Sequence, residues 1–294
     1  MVTRRQWLGG TATLACWMQA RQAVAANGFA DLPAVFARIE AQRGGRLGVA
    51  VLDTGTNRRT GHRQDERFPL GSTFKLLAAG AVLARADAGQ DRMDRRIYYA
   101  REDLVTYSPE TEKHAGSDGM TLAALCEAAI TLSDNTAGNL LLGVLGGPQG
   151  LTDYLHGLGD TMTRLDRTEP TLNEARPGDP RDTTSPASML ADMQALTVGN
   201  ALTEAARTTL QEWLRHNRTG DARLRARLPG LWAAGEKTGT SENGTSNDVG
   251  LLWPPNGGAP VLVAAYLTEG PPDGTIRDAA LADVGAAIAA AWAV

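Results

Sequence analysis

The stretch GSTFK, residues 71–75, sets the hydroxyl of Ser72 three positions before the amine of Lys75. On a helix, positions i and i+3 share a face with Cβ atoms about 5–6 Å apart, so the amine can reach the hydroxyl. Such a pair offers a nucleophile beside its base. The structural alternative is a capping serine followed by a solvated lysine. Lysine usage favours chemistry, because the chain holds 26 arginines and only three lysines, Lys75, Lys113 and Lys237. Arginine keeps its proton in a protein, whereas a buried lysine shifts its pKa readily and can act as a base or relay. A helix N-terminus beneath the serine would add backbone N–H groups and a positive dipole end where an oxyanion forms.

Two further motifs follow in order, SDN at Ser133–Asn135 and KTG at Lys237–Gly239. S-x-x-K, S-D-N and K-T-G together are the signature of class A β-lactamases and penicillin-binding proteins. With them the chain resembles a class A serine β-lactamase over essentially its whole length beyond the leader. RLDRTEPTLNEARPGDPRDTT, residues 164–184, resembles that family's Ω-loop, a compact surface loop that carries a carboxylate to the active site. Within it, Glu169 and Asn173 match the pair that holds the hydrolytic water, and Arg167 and Asp182 match the ion pair at the loop's neck. The Glu169–Pro170 bond would be cis by the same resemblance.

The resemblance implies hydrolysis of the β-lactam amide of penicillins and cephalosporins through a serine acyl-enzyme. Ser72 would attack the lactam carbonyl, with the backbone N–H groups of Ser72 and Thr240 as oxyanion hole. Ser133 would pass a proton to the departing ring nitrogen. Lys75, or Glu169 through a water, would take the serine proton, and Glu169 would then activate the deacylating water with Asn173 fixing it. Lys237, Thr238, Gly239 and Thr240 would meet the substrate carboxylate, Asn135 the acyl-amide side chain, and Tyr107 the rim of the site. The arginine that some members carry on the strand after KTG is replaced by Ser246, and Arg223 occupies the position from which others supply it. Cys126 matches half of a disulfide whose other half falls at Ala79. The cysteine pair of the carbapenem-hydrolysing branch falls at Gly71 and Ser241. A penicillin-binding peptidase shares Ser, Lys, S-x-N and KTG but lacks the deacylating pair matched by Glu169 and Asn173, and a β-lactam sensor would normally need a membrane anchor, for which the sequence offers no spanning run.

These residues need elements to position them. Leu32, Val35, Phe36 and Ile39 fall at i, i+3, i+4 and i+7 and predict an amphipathic helix over about Phe29 to Gln42. RLGVAVLDTGT reads as a strand apolar on both faces, and RRTGHR as its more polar return. Residues from about 72 to 227 are helical in pattern. Three strand candidates follow, WAAGEKTGTS, NDVGLLWPP and PVLVAAYLTEG, and a last helix repeats Ile276, Ala280, Val284, Ile288 and Trp292. The expected fold is α/β, a mixed five-stranded antiparallel sheet built from both chain ends and flanked by helices, with an inserted all-α region, as in the β-lactamase/transpeptidase group. The α/β part would cover about 27–71 and 228–294, the all-α part about 72–227.

Composition narrows the partners. Residues 1–26 run from Arg4 and Arg5 through an apolar stretch to AVAA and read as an export signal. TRRQWLGG resembles the twin-arginine type that delivers folded proteins to the periplasm, an ordinary secretory signal being the alternative. Removing it would take the formal charge from −4 to −7. An acidic chain with no basic cluster argues against nucleic acid. No apolar run reaches the about 20 residues needed to span a bilayer, so no membrane role is expected of the mature form. Cys126 alone remains after the leader, and the four histidines, His62, His114, His156 and His216, show no ligand spacing. No metal or cofactor is expected. The substrate would be a small-molecule β-lactam, and the family resemblance implies a monomer.

Overall fold

Alternate residues of RLGVAVLD serve two different cores. The computed structural model describes residues 28–292, so the export segment predicted at 1–26 lies outside the described residues. In chain order the elements are α1 (Leu32–Arg43), β1 (Arg46–Asp53), β2 (Arg58–His62), β3 (Phe68–Pro69), α2 (Phe74–Asp87), β4 (Arg96–Ile97), β5 (Met120–Thr121), α3 (Leu122–Thr131), α4 (Asn135–Leu145) and α5 (Pro148–Gly157). They continue with β6 (Thr183–Thr184), α6 (Pro186–Thr197), α7 (Glu204–Arg215), β7 (Ala233–Ser241), β8 (Thr245–Trp253), β9 (Val261–Thr268) and α8 (Gly274–Ala291).

One antiparallel sheet runs β2-β1-β9-β8-β7. Successive side chains of a strand point to opposite faces. Leu47, Val49 and Val51 of β1, with Val261, Val263, Ala265 and Leu267 of β9, therefore pack against α1 and α8. Ala50 and Leu52, with Leu262, Ala264 and Tyr266, face the helical region α2–α7. Helices cover both faces, which is why these strands are apolar throughout and lack the alternation of a half-exposed strand. The chain ends meet, with Phe29 and Trp292 in edge-to-face contact at 5.4 Å between ring centroids.

The expected sheet and its assembly from both ends of the chain are present. Some details differ. Ile276, the first residue of the repeat that marks the last helix, is 38 % exposed. Four-residue steps drift by about 40° each on a helix of 3.6 residues per turn, so the four steps from Ile276 to Trp292 span about 160°, too wide an arc to share one buried face. The helical block also carries the short pairs β3–β6 and β4–β5. Two-residue strands are too short to leave a periodic signal. Their use is local. β3 leads into GSTFK, and β6 closes the far end of the Glu169 loop against it.

Candidate active site

Ser72 lies in a tight 3-10 turn, Gly71–Thr73, that feeds directly into α2. The turn is anchored from the sheet, where Asn247 Nδ2 donates to the carbonyls of Pro69 (2.9 Å) and Leu70 (3.1 Å). Gly71 has φ 49°, and a Cβ there would come 2.8 Å from Ser241 Oγ and 3.5 Å from Thr240 N. Only glycine brings this turn so close to β7, the edge strand of the sheet. The backbone amide of Thr240 is thereby set beside the serine turn.

At the second position of α2, Lys75 is fully buried. Its Nζ lies 2.9 Å from Ser72 Oγ, 2.9 Å from the Ser133 carbonyl, 2.6 Å from Asn135 Oδ1 and 2.9 Å from Glu169 Oε1. Burial pushes the amine below its ordinary pKa, and the Glu169 carboxylate draws it partly back. Ser72 Oγ in turn donates to Glu169 Oε1 at 3.1 Å. The serine hydroxyl thus has a buried amine and a buried carboxylate within hydrogen-bond reach.

Ser133 is not inside a helix but in a left-handed turn between α3 and α4, with φ 59°. The next residue holds that turn. Asp134 caps α4 by accepting from Ala137 N, and accepts as well from the amides of Glu110 and Thr111 and the Thr111 hydroxyl. Asn135 ties the neighbouring loop down, its amide donating to the Tyr107 carbonyl and its side chain to that of Thr106. Tyr107 is left 57 % exposed at the rim. From the other side Lys237, fully buried on β7, donates to Ser133 Oγ at 2.9 Å. Burial and the nearby charges of Lys75 and Arg223 hold its amine well below the usual value.

The 164–182 loop delivers Glu169, whose peptide bond to Pro170 is cis. Asn139 clamps the Glu169 backbone from α4, donating to its carbonyl at 2.9 Å and accepting from its amide at 2.8 Å. Asn173 Nδ2 donates to Glu169 Oε2 at 2.5 Å, and Asn173 Oδ1 accepts from Ser241 Oγ at 3.0 Å, which joins the loop to β7. At the neck, Arg167 Nε donates to Asp182 Oδ2 at 2.6 Å, while Asp182 Oδ1 accepts the amides of Asp166 and Arg167.

Arg223 comes to the cleft from the segment before β7. Its Nη1 donates to the carbonyls of Gly239 and Asn247, Nη2 to Thr240 Oγ1 at 2.7 Å, and Nε to Asp278 on α8 at 2.8 Å. Ser246 has a different guanidinium, accepting from Arg277 Nε at 3.1 Å. Ser72, Tyr107, Ser133, Asn135, Asn173, Thr219, Arg223, Thr238 and Thr240 together line a cleft of about 290 Å³. Lys75, Glu169 and Lys237 form its buried floor. Every residue predicted for chemistry or binding is thus gathered here, with Arg167 and Asp182 apart at the neck. Asn139, Thr219 and Asp278 belong to no motif in the sequence, and Asp134, inside SDN, acquires its capping role only from the structure. Among the described residues, no group of three or more His, Cys, Asp or Glu side chains is arranged to hold a metal ion.

Residues 31–292 match the model of the β-lactamase enzyme family. The chain belongs to that family. It is 48 % identical to β-lactamase L2 of Stenotrophomonas maltophilia, over 85 % of this chain and 82 % of that protein. It is 49 % identical to β-lactamase AST-1 of Nocardia asteroides, over 84 % of this chain and 79 % of that one. An ancestral class A β-lactamase (GNCA) superposes with a TM-score of 0.86 at 60 % identity, covering 87 % of this chain and 98 % of the other. Class A is therefore its place within the family. In this class A β-lactamase the neck pair ties the two ends of the Glu169 loop together, and its carboxylate is buried, with Asp182 only 1 % exposed. Arg167→Ala leaves that carboxylate without its cation, a loss of about 3 kcal/mol by the range for broken buried pairs. Hydrogen exchange should report faster opening at the Asp166 and Arg167 amides. Unchanged protection there would contradict it.

Proposed function

We propose a division of labour among these residues for opening the β-lactam ring, carried by one observation: Ser72 Oγ stands 2.9 Å from Lys75 Nζ and 3.1 Å from a carboxylate whose other oxygen Asn173 holds. The protein is a serine β-lactamase. Ser72 Oγ attacks the lactam carbonyl carbon and gives up its proton to Lys75, directly, or to Glu169 through a water. The backbone N–H groups of Ser72 and Thr240 receive the oxyanion, an interaction whose loss costs about 2.7–4 kcal/mol in other hydrolases. The C–N bond breaks, and the ring nitrogen takes the proton of Ser133, whose hydroxyl is hydrogen-bonded to Lys237; the proton given up by Ser72 then passes to Ser133, which returns Lys75 and Glu169 to their starting states. Glu169 then removes a proton from water, hydroxide adds to the ester, and Ser72 leaves with its proton restored.

Lys237, Thr238, Thr240 and Arg223 bind the substrate carboxylate, with Gly239 between them on the strand. Asn135 meets the acyl-amide, and Tyr107 covers the rim. Arg223→Ala should raise KM for carboxylate-bearing lactams about tenfold with little change in kcat, since hydrogen bonds to charged groups contribute about 1.5–3 kcal/mol. Equal KM values would remove Arg223 from substrate binding. The working unit is a monomer, as the resemblance to class A enzymes implies. Residues 1–26 direct export to the periplasm, a twin-arginine signal being favoured by Arg4 and Arg5. Among the described residues no helix is long and apolar enough to cross a membrane.

The test is stoichiometric turnover of a chromogenic cephalosporin. Many equivalents hydrolysed per chain support the reading. A single equivalent followed by arrest would mean an acyl-enzyme that persists, as in a penicillin-binding or sensor protein.

A further inference from the structure

Glu236 and Asp248 take no part in the chemistry above, yet both are fully buried at its edge. Glu236 precedes Lys237 on β7, and Asp248 on β8 pairs across from Thr238. Glu236 Oε2, Asp248 Oδ1 and Arg225 Nη2 are buried without a hydrogen-bond partner. Burial raises both carboxyls above their ordinary range, which reflects the cost of keeping them there. A well-packed apolar cluster is often as stable as a buried ion pair, or more so, so stability alone does not explain this group.

One segment is what the two carboxyls hold. Leu224 N donates to Asp248 Oδ2 at 3.1 Å, and Arg225 Nε donates to Glu236 Oε1 at 2.7 Å. These are the two residues directly after Arg223. On its other side the backbone of Gly220 rests on Glu236, where a Cβ would collide with Oε1. The turn that carries Arg223, and that follows the cleft residue Thr219, is therefore seated on Glu236 and Asp248.

We propose that Asp248 and the Arg225–Glu236 pair are positioning residues for substrate-carboxylate recognition, fixing the backbone around Arg223 so that its guanidinium stays against Thr240 in the cleft. This rests on the reading of Arg223 as a carboxylate-binding residue. The three residues act through Arg223 and touch no substrate. Losing them should weaken binding of the anionic substrate and spare the acyl-transfer chemistry.

Steady-state kinetics of Arg225→Met, Asp248→Val, Asp248→Asn and Arg223→Ala would be compared on a chromogenic cephalosporin and on its methyl ester, which lacks the carboxylate charge. Arg225→Met and Asp248→Val should raise KM for the acid about tenfold, the scale of one hydrogen bond to a charged group. Their kcat, and both parameters for the ester, should stay within about twofold of wild type, well inside that scale. Asp248→Asn keeps an oxygen for Leu224 N and should return KM for the acid to near the wild-type value. Equal losses on acid and ester in Arg225→Met, or an unchanged acid KM while Arg223→Ala still raises it, would overturn the proposal. Acid preference surviving Arg223→Ala would overturn it from beneath, by removing the role of Arg223 itself. Arg225 is partly exposed, so Arg225→Met keeps the test available if Asp248→Val fails to fold.

Discussion

Lys75→Arg is expected to lower turnover by about 10²–10⁴-fold, the contribution of a positioned acid–base group, although it conserves charge. Lys75 Nζ lies 2.9 Å from both Ser72 Oγ and Glu169 Oε1, within a pocket that leaves the side chain no exposure. An ammonium there can pass a proton between its neighbours, and burial lowers its hold on that proton. A guanidinium can keep the ion pair with Glu169 but does not release a proton in a protein. Lys75→Met, of similar length and without charge, separates the effect of proton transfer from that of bulk and should lose a similar factor. Stopped-flow acylation rates measure both variants, with thermal unfolding as the control for folding. Acylation of Lys75→Arg within tenfold of wild type would mean that the positive charge suffices and that Glu169 alone accepts the serine proton.

What could be read from the sequence was what local spacing encodes. S-x-x-K places Ser72 and Lys75 on one helical face whatever the rest of the chain does, and the apolar runs of β1 and β9 announce strands covered on both sides. Glu169 and Asn173 were legible only through the resemblance of residues 164–184 to the family's Ω-loop. The supports of the site were not. Arg223 meets Asp278 across 55 residues of sequence, and Asn139 reaches Glu169 across 30. Nothing in the types Asp and Asn marks one such residue among many. Ser133 needed a left-handed turn, which its neighbours on α3 and α4 impose and which a helical pattern over this region conceals. Glu236 and Asp248 read as ordinary polar positions of two strands, because their burial depends on the 220–225 turn that folds over them.

Glu169→Ala should separate the two halves of the reaction. Glu169 is 2 % exposed, with one oxygen turned to Ser72 and Lys75 and the other fixed by Asn173, so little else is placed to take a proton from water. Its loss should slow deacylation by about 10²–10⁴-fold or more, the range for a general base. Acylation retains Lys75 beside the serine and should be slowed less, so the ester accumulates. Most directly, intact mass would be followed while wild type and Glu169→Ala are each mixed with a chromogenic cephalosporin, and the adduct mapped by peptide. The account predicts steady turnover with little adduct in wild type, and a persistent adduct on the peptide containing Ser72 in the variant. An adduct on neither, or one on a peptide without Ser72, would contradict the serine acyl-enzyme itself.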